Sequence, residues 1–435
     1  MRFERVGFAM FSPSVWRFAG PIVALCLAGC AGQNASKIPV ASSGVTSTPE
    51  VVPVALGSSP SKATPGGITR VEDVPDRFVT PSGLSVPRGF QVQLLAENLF
   101  VPRRIAFAPG ATASKYDIFV SESKANRVSV LRMLNGRVVQ KSAFTESANQ
   151  PYGLAFWKNY LYVGNTDAVV RFPYQRGALK ASGGAQKIAD LTEGGYNQHW
   201  TRNLLFDESG KKLFVTVGSS CNTCEESDPQ RAAVSEMNPD GSGRRVFASG
   251  IRNPVGLAWQ PGTSNLWTVV NERDNLGDDT PPDYLTLVRP GAFYGWPYAY
   301  TDIDRIVHAD PNFGDKNPAK VRETRAPSVP VQAHSAALGV AFYPTKGGNF
   351  PKEYQGDAFV SFHGSWNRSA KTGYKIVRVD FQNGQPAKIT DFVQGFLYQG
   401  KEWGRPVDVQ VAPDGSMLFS DDGGGKIWRV FYSGK

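Results

Sequence analysis

The chain holds four histidines, His199, His308, His334 and His363, and His199 stands directly before a repeat unit. It lies in Gly194-Gly-Tyr-Asn-Gln-His-Trp-Thr-Arg-Asn, and an imidazole titrates close enough to neutral pH to act as a general base. Arg252 and Asn253 occur in Gly250-Ile-Arg-Asn-Pro-Val-Gly-Leu, and Arg104, Gln150, His334 and Arg405 hold comparable places elsewhere. Each of these polar groups precedes one copy of a short apolar pattern. Singly they say little: a lone histidine before a strand is usually a packed, hydrogen-bonded side chain, and a lone arginine usually pairs with a surface carboxylate. In phase with a repeat, they describe polar and cationic groups converging on one face of the fold. Such a face suits a multiply anionic ligand, because like charges left uncompensated in a partly desolvated channel are costly.

The elements that must position these groups are strands. Six units recur, each an alternating apolar strand, a turn and a second strand ending in small or acidic residues. The first strands begin at Arg104-Ile-Ala-Phe, Gly153-Leu-Ala-Phe, Asn203-Leu-Leu-Phe, Gly256-Leu-Ala-Trp, Gly339-Val-Ala-Phe and Val407-Asp-Val-Gln. The first four starts are about 50 residues apart, a spacing that fits a four-stranded propeller blade. The pattern predicts an all-β fold, a six-bladed β-propeller with four-stranded antiparallel blades, because radial repetition hides sheet edges. A tandem of β-sandwiches is the competing architecture, and the constant unit disfavours it. Closure is expected between Phe90-Gln-Val-Gln-Leu-Leu and Lys426-Ile-Trp-Arg-Val-Phe-Tyr. Residues 271–337 and 363–405 separate units more widely and are the expected site-building insertions.

Composition bounds the function. The chain has 435 residues, 41% hydrophobic and 20% charged, with 45 Gly and 31 Pro, which excludes a wholly disordered chain and favours strands and turns over long helices. The net charge of +9 forms no basic block, so nucleic acid is not an expected partner. No apolar run beyond the N-terminus is long enough for a multi-span membrane protein. Residues 1–29 read as a signal peptide ending in Leu27-Ala-Gly-Cys30, which resembles a bacterial lipobox, so Cys30 is the expected lipidation site. The chain is then expected in the cell envelope, lipid-anchored and facing the periplasm, with Ala31 compatible with the outer membrane. Residues 30–82 read as a Ser/Thr/Pro-rich tether and 83–435 as the propeller. In an exported chain, Cys221 and Cys224 are expected to form a loop-stapling disulfide. Haem attachment requires a histidine where Glu225 stands, and a zinc site lacks a second ligand pair nearby.

The blocks Gln198-His-Trp-Thr-Arg, Gly250-Ile-Arg-Asn-Pro-Val-Gly-Leu, Phe293-Tyr-Gly-Trp-Pro-Tyr, His363-Gly-Ser-Trp-Asn-Arg and Gly404-Arg-Pro-Val-Asp-Val resemble the glucose/sorbosone dehydrogenase family, nearest its L-sorbosone and pyranose dehydrogenase branch. The resemblance implies a six-bladed quinoprotein that uses pyrroloquinoline quinone (PQQ) and calcium to oxidise a sugar or sugar-derived aldehyde. It implies His199 as the base and Arg252 as the cation over the quinone oxygens. It implies Asn253 and Arg405 as cofactor-binding residues, joined by Arg104, Gln150 and Arg368 from their positions. It assigns the calcium region to Asn271-Glu-Arg-Asp-Asn-Leu-Gly-Asp-Asp279, with Asp274 and Asn275 as candidate ligands; hard oxygen donors suit Ca²⁺. An external cytochrome or quinone would take the electrons. Two other functions fit the same scaffold: a calcium-dependent propeller lactonase, and a non-enzymatic propeller binding glycans or envelope partners.

Overall fold

Alternation along one strand shows how the sequence closes into a ring. In Lys115–Glu122, Phe119 packs with Phe144, Leu161 and Phe172 of the following blade's interface, while Ile118 and Val120 pack with Leu418 and Ile427 of the preceding one. Successive side chains of a strand point to opposite faces, so each blade buries both and its strands read as nearly continuous apolar runs. Six such interfaces separate six blades, and a smaller cluster of Tyr152, Val255, Leu338 and Val407 joins the inner strands.

The computed structural model describes residues 71–72, 76–194 and 199–434. The signal peptide, Cys30, most of the tether and Gln198 lie outside the described residues. The six sheets are antiparallel and four-stranded in the predicted frame, and one carries an added strand. Their innermost strands are Pro102–Phe107, Leu154–Trp157, Leu204–Phe206, Asn253–Trp259, Ala337–Phe342 and Pro406–Val411, which open blades 1 to 6. Phe90–Ala96 pairs antiparallel with Lys426–Tyr432 and completes blade 6 from the opposite end of the propeller sequence, as the sequence predicts.

The folded unit reaches further back than residue 83. Val71–Glu72 adds a parallel fifth strand to blade 5 beside Gln385–Val393, and Arg77–Val79 pairs with Ser85–Pro87. Arg77 donates to the Asp391 carbonyl at 2.9 Å, so these residues of the expected tether are part of the fold. The insertion in blade 4 contains a small hairpin, Ala299–Thr301 with Val307–Ala309, and the six-residue helix Pro318–Glu323, capped by the Asn317 side chain. Among the described residues, no helix is long and apolar enough to cross a membrane.

The glycine that starts three of the repeat units has a steric cause. A Cβ at Gly153, Gly256 or Gly339 would lie 2.5, 2.8 or 2.6 Å from the carbonyl oxygen of Arg202, Leu338 or Val407, each on or just before the next blade's inner strand. Inner strands converge on the axis, and these positions are where neighbouring backbones meet. Gly339→Ala is expected to cost about 1–3 kcal/mol by overpacking, read as a lower thermal midpoint; an unchanged midpoint would show that the inner strands separate freely.

Candidate active site

The inner strands start with irregular pairing. Register shifts fall between Pro102 and Ile105, Pro254 and Leu257, Ala337 and Gly339, and Pro406 and Val409. Bulges of this kind re-aim side chains at the rims of barrels and beside active sites. Here they lie at the strand starts where the sequence concentrates its polar groups.

His199 is buried at 4% exposure, on the loop leading into blade 3. Its Nδ1 lies 3.0 Å from the Ser219 carbonyl and 2.9 Å from Ser219 Oγ. Ser219 Oγ gives its own proton to the Cys221 carbonyl at 2.6 Å. Both Ser219 oxygens are therefore acceptors toward the ring, which assigns the proton to Nδ1 and makes Nε2 the basic nitrogen. Burial, then the Arg252 charge, hold the imidazole well below its ordinary pKa, with Arg202 and Arg231 acting in the same direction. His199 is thus a neutral imidazole at neutral pH.

Gly218 brings His199 and Asn253 together: a Cβ there would lie 2.9 Å from His199 Cβ and 2.3 Å from Asn253 Oδ1. Asn253 donates to Asn271 Oδ1 at 3.2 Å, and its own Oδ1 is buried without a hydrogen-bond partner. Arg252, also buried, donates from Nη1 to the Glu272 carbonyl at 2.6 Å and from Nη2 to Asn222 Oδ1 at 2.9 Å and Asp274 Oδ2 at 3.2 Å. Asp274 Oδ1 faces His334 Nδ1 at 3.6 Å, and His334 Nε2 reaches the Gly277 carbonyl at 2.9 Å. Burial opposes protonation of His334, but Asp274 and the Gly277 carbonyl outweigh it and raise its pKa.

A second group of charges surrounds Asp422. Its carboxylate bonds Arg103 Nη1, Arg405 Nε at 2.9 Å and His363 Nε2 at 3.0 Å. Burial would raise the Asp422 pKa, yet His363, Arg103 and Arg405 together hold it below the ordinary carboxylate range. The Arg103 guanidinium also lies 5.2 Å over the Trp200 ring and 5.7 Å over Tyr152, a cation–π arrangement. Trp200 follows His199 in the chain. Contacts therefore run from Arg405 through Asp422 and Arg103 to Trp200, the chain neighbour of His199, and from His199 through Ser219, whose amide donates to the Arg252 carbonyl at 2.8 Å.

Other candidates are engaged elsewhere. Arg104 forms a buried ion pair with Asp408 at 2.7 Å, and Asp408 also accepts the Ile105 amide at 2.8 Å, so Arg104 ties blade 1 to blade 6 instead of facing a ligand. Arg368 bonds the Asp278 carbonyl and Asp279 Oδ1, which spends its charge on the adjoining loop. Gln150 stands at the start of blade 2 with φ 46°, and Thr166 Oγ1 links it at 3.5 Å and the Trp200 carbonyl at 3.3 Å.

The residues of the expected calcium loop are engaged as well. Asp274 takes Arg252 and His334, and Asn275 Oδ1 accepts from Asn367 at 3.0 Å. The carbonyls of Glu272, Asp274, Gly277 and Asp278 already accept hydrogen bonds, and the Asp283 carboxylate takes the amides of Glu272 and Ala336. A cation-paired carboxylate and committed carbonyls do not form the convergent oxygen set that Ca²⁺ requires. As arranged, these residues do not fit calcium.

Sequence reasoning missed Arg103, Asp422, Ser219 and Asn222, and it missed Arg202 and Arg231. The last two hold both flanks of the His199 loop: Arg202 donates to the carbonyls of His199 at 2.9 Å and Thr192 at 2.7 Å, and Arg231 to those of Glu193 at 2.8 Å and Gly194 at 2.9 Å. Arg202 closes the Gln198-His-Trp-Thr-Arg block itself, whereas Arg231 lies outside every block and had no sequence signal. Cys221 and Cys224 are joined by a disulfide with Cα atoms 6.1 Å apart.

The TrAA12-like family profile matches residues 84–433. An uncharacterized protein of Borreliella burgdorferi is 30% identical over 365 residues, covering 81% of this chain and 91% of its own length. The aldose sugar dehydrogenase YliI of Escherichia coli is 27% identical over 248 residues, covering 53% of this chain and 60% of the relative. Among solved structures, the holo form of the pyranose dehydrogenase PQQ domain from Coprinopsis cinerea superposes with a TM-score of 0.68 at 19% identity, over 81% of this chain and 100% of that one. At that identity, the superposition speaks to the fold.

Proposed function

The chain belongs to the TrAA12-like family, and from that membership we propose that it is a sugar oxidoreductase working with PQQ at the periplasmic side of the cell envelope. The observation that carries this reading is one neutral imidazole set between two groups of guanidinium charge, Arg103 and Arg405 on Asp422 beside Trp200, and Arg252 on Asp274 beyond Ser219. The names of an aldose sugar dehydrogenase and a PQQ-holding pyranose dehydrogenase domain among the similar proteins support the same class.

The residues fit a tricarboxylate quinone. Arg405 is 41% exposed and bonds Asp422 through Nε, so its terminal nitrogens suit a carboxylate. Arg103 Nε and Asn253 Oδ1 are buried without hydrogen-bond partners, as expected of groups awaiting a polar ligand. PQQ, when bound, supplies an ortho-quinone that accepts hydride. His199 Nε2 takes the substrate hydroxyl proton, a contribution of about 10²–10⁴-fold in rate. Arg252 favours negative charge developing nearby and disfavours a lasting imidazolium, which helps the base give its proton away. No step is assigned to calcium. A sugar or sugar-derived aldehyde is the substrate in this reading, an external cytochrome or quinone takes the electrons, and lipid on Cys30 anchors the chain.

The test is a titration of the metal-free chain with PQQ, with and without Ca²⁺, followed by a sugar panel and an artificial electron acceptor. Binding and sugar-dependent dye reduction are expected. Arg405→Ala is expected to weaken PQQ binding roughly tenfold, the size of one lost charge-assisted hydrogen bond at a half-exposed site. Absence of binding under both conditions would end the proposal. Lactone hydrolysis without PQQ would favour the lactonase, and glycan binding without turnover the binding module.

A further inference from the structure

The disulfide-closed loop touches both halves of the proposed chemistry. At one end, the Ser219 amide donates to the Arg252 carbonyl at 2.8 Å, while its carbonyl and hydroxyl receive His199 Nδ1–H. At the other end, Asn222 lies between the two half-cysteines and works with both its backbone and its side chain. Its carbonyl accepts Arg252 Nε at 3.1 Å and Trp296 Nε1 at 3.0 Å. Its Oδ1 accepts Arg252 Nη2 at 2.9 Å and the Asp274 amide at 2.8 Å, and its Nδ2 donates to the Asp274 carbonyl at 3.2 Å.

We infer that Ser219 and Asn222 are positioning residues and that the Cys221–Cys224 bridge holds them in the geometry the site needs. The inference rests on the function proposed above. The physical reason is that neither His199 nor Arg252 is oriented by its own strand. His199 precedes blade 3 on a loop, and its Nδ1–H tautomer is held by the Ser219 carbonyl and by Ser219 Oγ, whose own proton goes to the Cys221 carbonyl within the bridged loop. The two Asn222 oxygens take Arg252 Nε and Nη2 and add to the hold of the Glu272 carbonyl on Nη1 and of Asp274 on Nη2, so they fix the plane of the guanidinium. The bridge joins residues three positions apart and encloses Asn222 and Thr223, so it restricts the backbone that presents those oxygens. Both cysteines are half-buried, within reach of small reductants. Glu226 closes the loop from outside by accepting the Ser220 amide at 2.6 Å and hydroxyl at 2.7 Å.

The test compares the full oxidised chain, the same chain treated with dithiothreitol, Cys221→Ser/Cys224→Ser, and Asn222→Ala. Three quantities are measured: the thermal midpoint, the ¹⁵N shifts of the His199 ring (assigned by difference with His199→Gln), and PQQ affinity by quinone absorbance. Opening the bridge is expected to leave the propeller folded, replace the single Nδ1–H tautomer with a mixture, and weaken PQQ binding. Asn222→Ala is expected to weaken binding about 10- to 100-fold, because it strands buried donors of Arg252 and Asp274, and to leave the tautomer unchanged. An unaltered ring spectrum and affinity after reduction would overturn the inference, as would full affinity in Asn222→Ala. If the double serine variant does not fold, the reduced wild-type chain and Asn222→Ala still decide. The ring spectrum needs no cofactor, so failure of PQQ to bind the oxidised chain counts against the proposed function, while an unchanged tautomer on reduction counts against the loop.

Discussion

His199→Ala is expected to lower sugar-dependent dye reduction by about 10²–10⁴-fold, the range contributed by a positioned general base, while PQQ affinity stays close to that of the native chain. The separation follows from the geometry. His199 is neutral and supplies a lone pair, whereas the groups suited to carboxylates are Arg405, Arg103 and the Arg252 charge. Turnover at the native rate in His199→Ala would remove this residue from the mechanism; lost affinity would make it a binding group instead. The pH profile gives a second measurement. Burial first, then Arg252, depress the His199 pKa below 6.5, so the base form persists through neutrality and the rate falls only at more acid pH. Arg252→Gln removes one of those causes, so the acid limb is expected to move to higher pH. A limb unmoved by Arg252→Gln would mean that another group sets it.

Asp408→Ala is expected to cost about 3–5 kcal/mol of stability, the usual penalty for leaving a buried charge without its partner. The Asp408 side chain is fully buried and that of Arg104 is 7% exposed, so solvent cannot replace the lost carboxylate. Asp408 also accepts the Ile105 amide, which would be stranded too. The pair joins the first blade to the last, so its loss falls on the closure of the ring. Chemical denaturation would measure the effect. A double replacement, Arg104→Met with Asp408→Leu, is expected to recover much of the stability, since removing both charges avoids the unpaired one. Should Asp408→Ala lose less than 1 kcal/mol, Arg104 would have another partner or a solvated exit, and its exclusion from ligand binding would need revision.

The contrast between Arg103 and Arg104 shows where sequence reasoning reached its limit. Both stand at the start of the first inner strand, and the repeat phase alone pointed to Arg104. Neighbouring residues in a strand face opposite ways, and the register shift between Pro102 and Ile105 decides which faces the channel mouth. Arg104 turned inward to Asp408, and Arg103 turned to Asp422 and Trp200. The same limit explains Asp274: the family pattern marked an oxygen donor, but Arg252 and His334 arrive from other loops and claim it.

The amino-acid order by itself determined the ring. A period-2 pattern recurring in units is a local property, and local alternation is enough to specify strands buried on both faces, the number of blades and the strand that closes the last one. It also placed His199, Arg252 and Asn253 together, because residues at one phase of a propeller repeat share one end of the channel. Tertiary structure alone decided which charges are committed and which are open to a ligand. Arg104 and Asp408 are 304 positions apart, and Arg103 and Asp422 are 319 apart. Pairings at that range exist only once the ring has closed, since ion pairing depends on distance in space and nothing within one repeat unit encodes it.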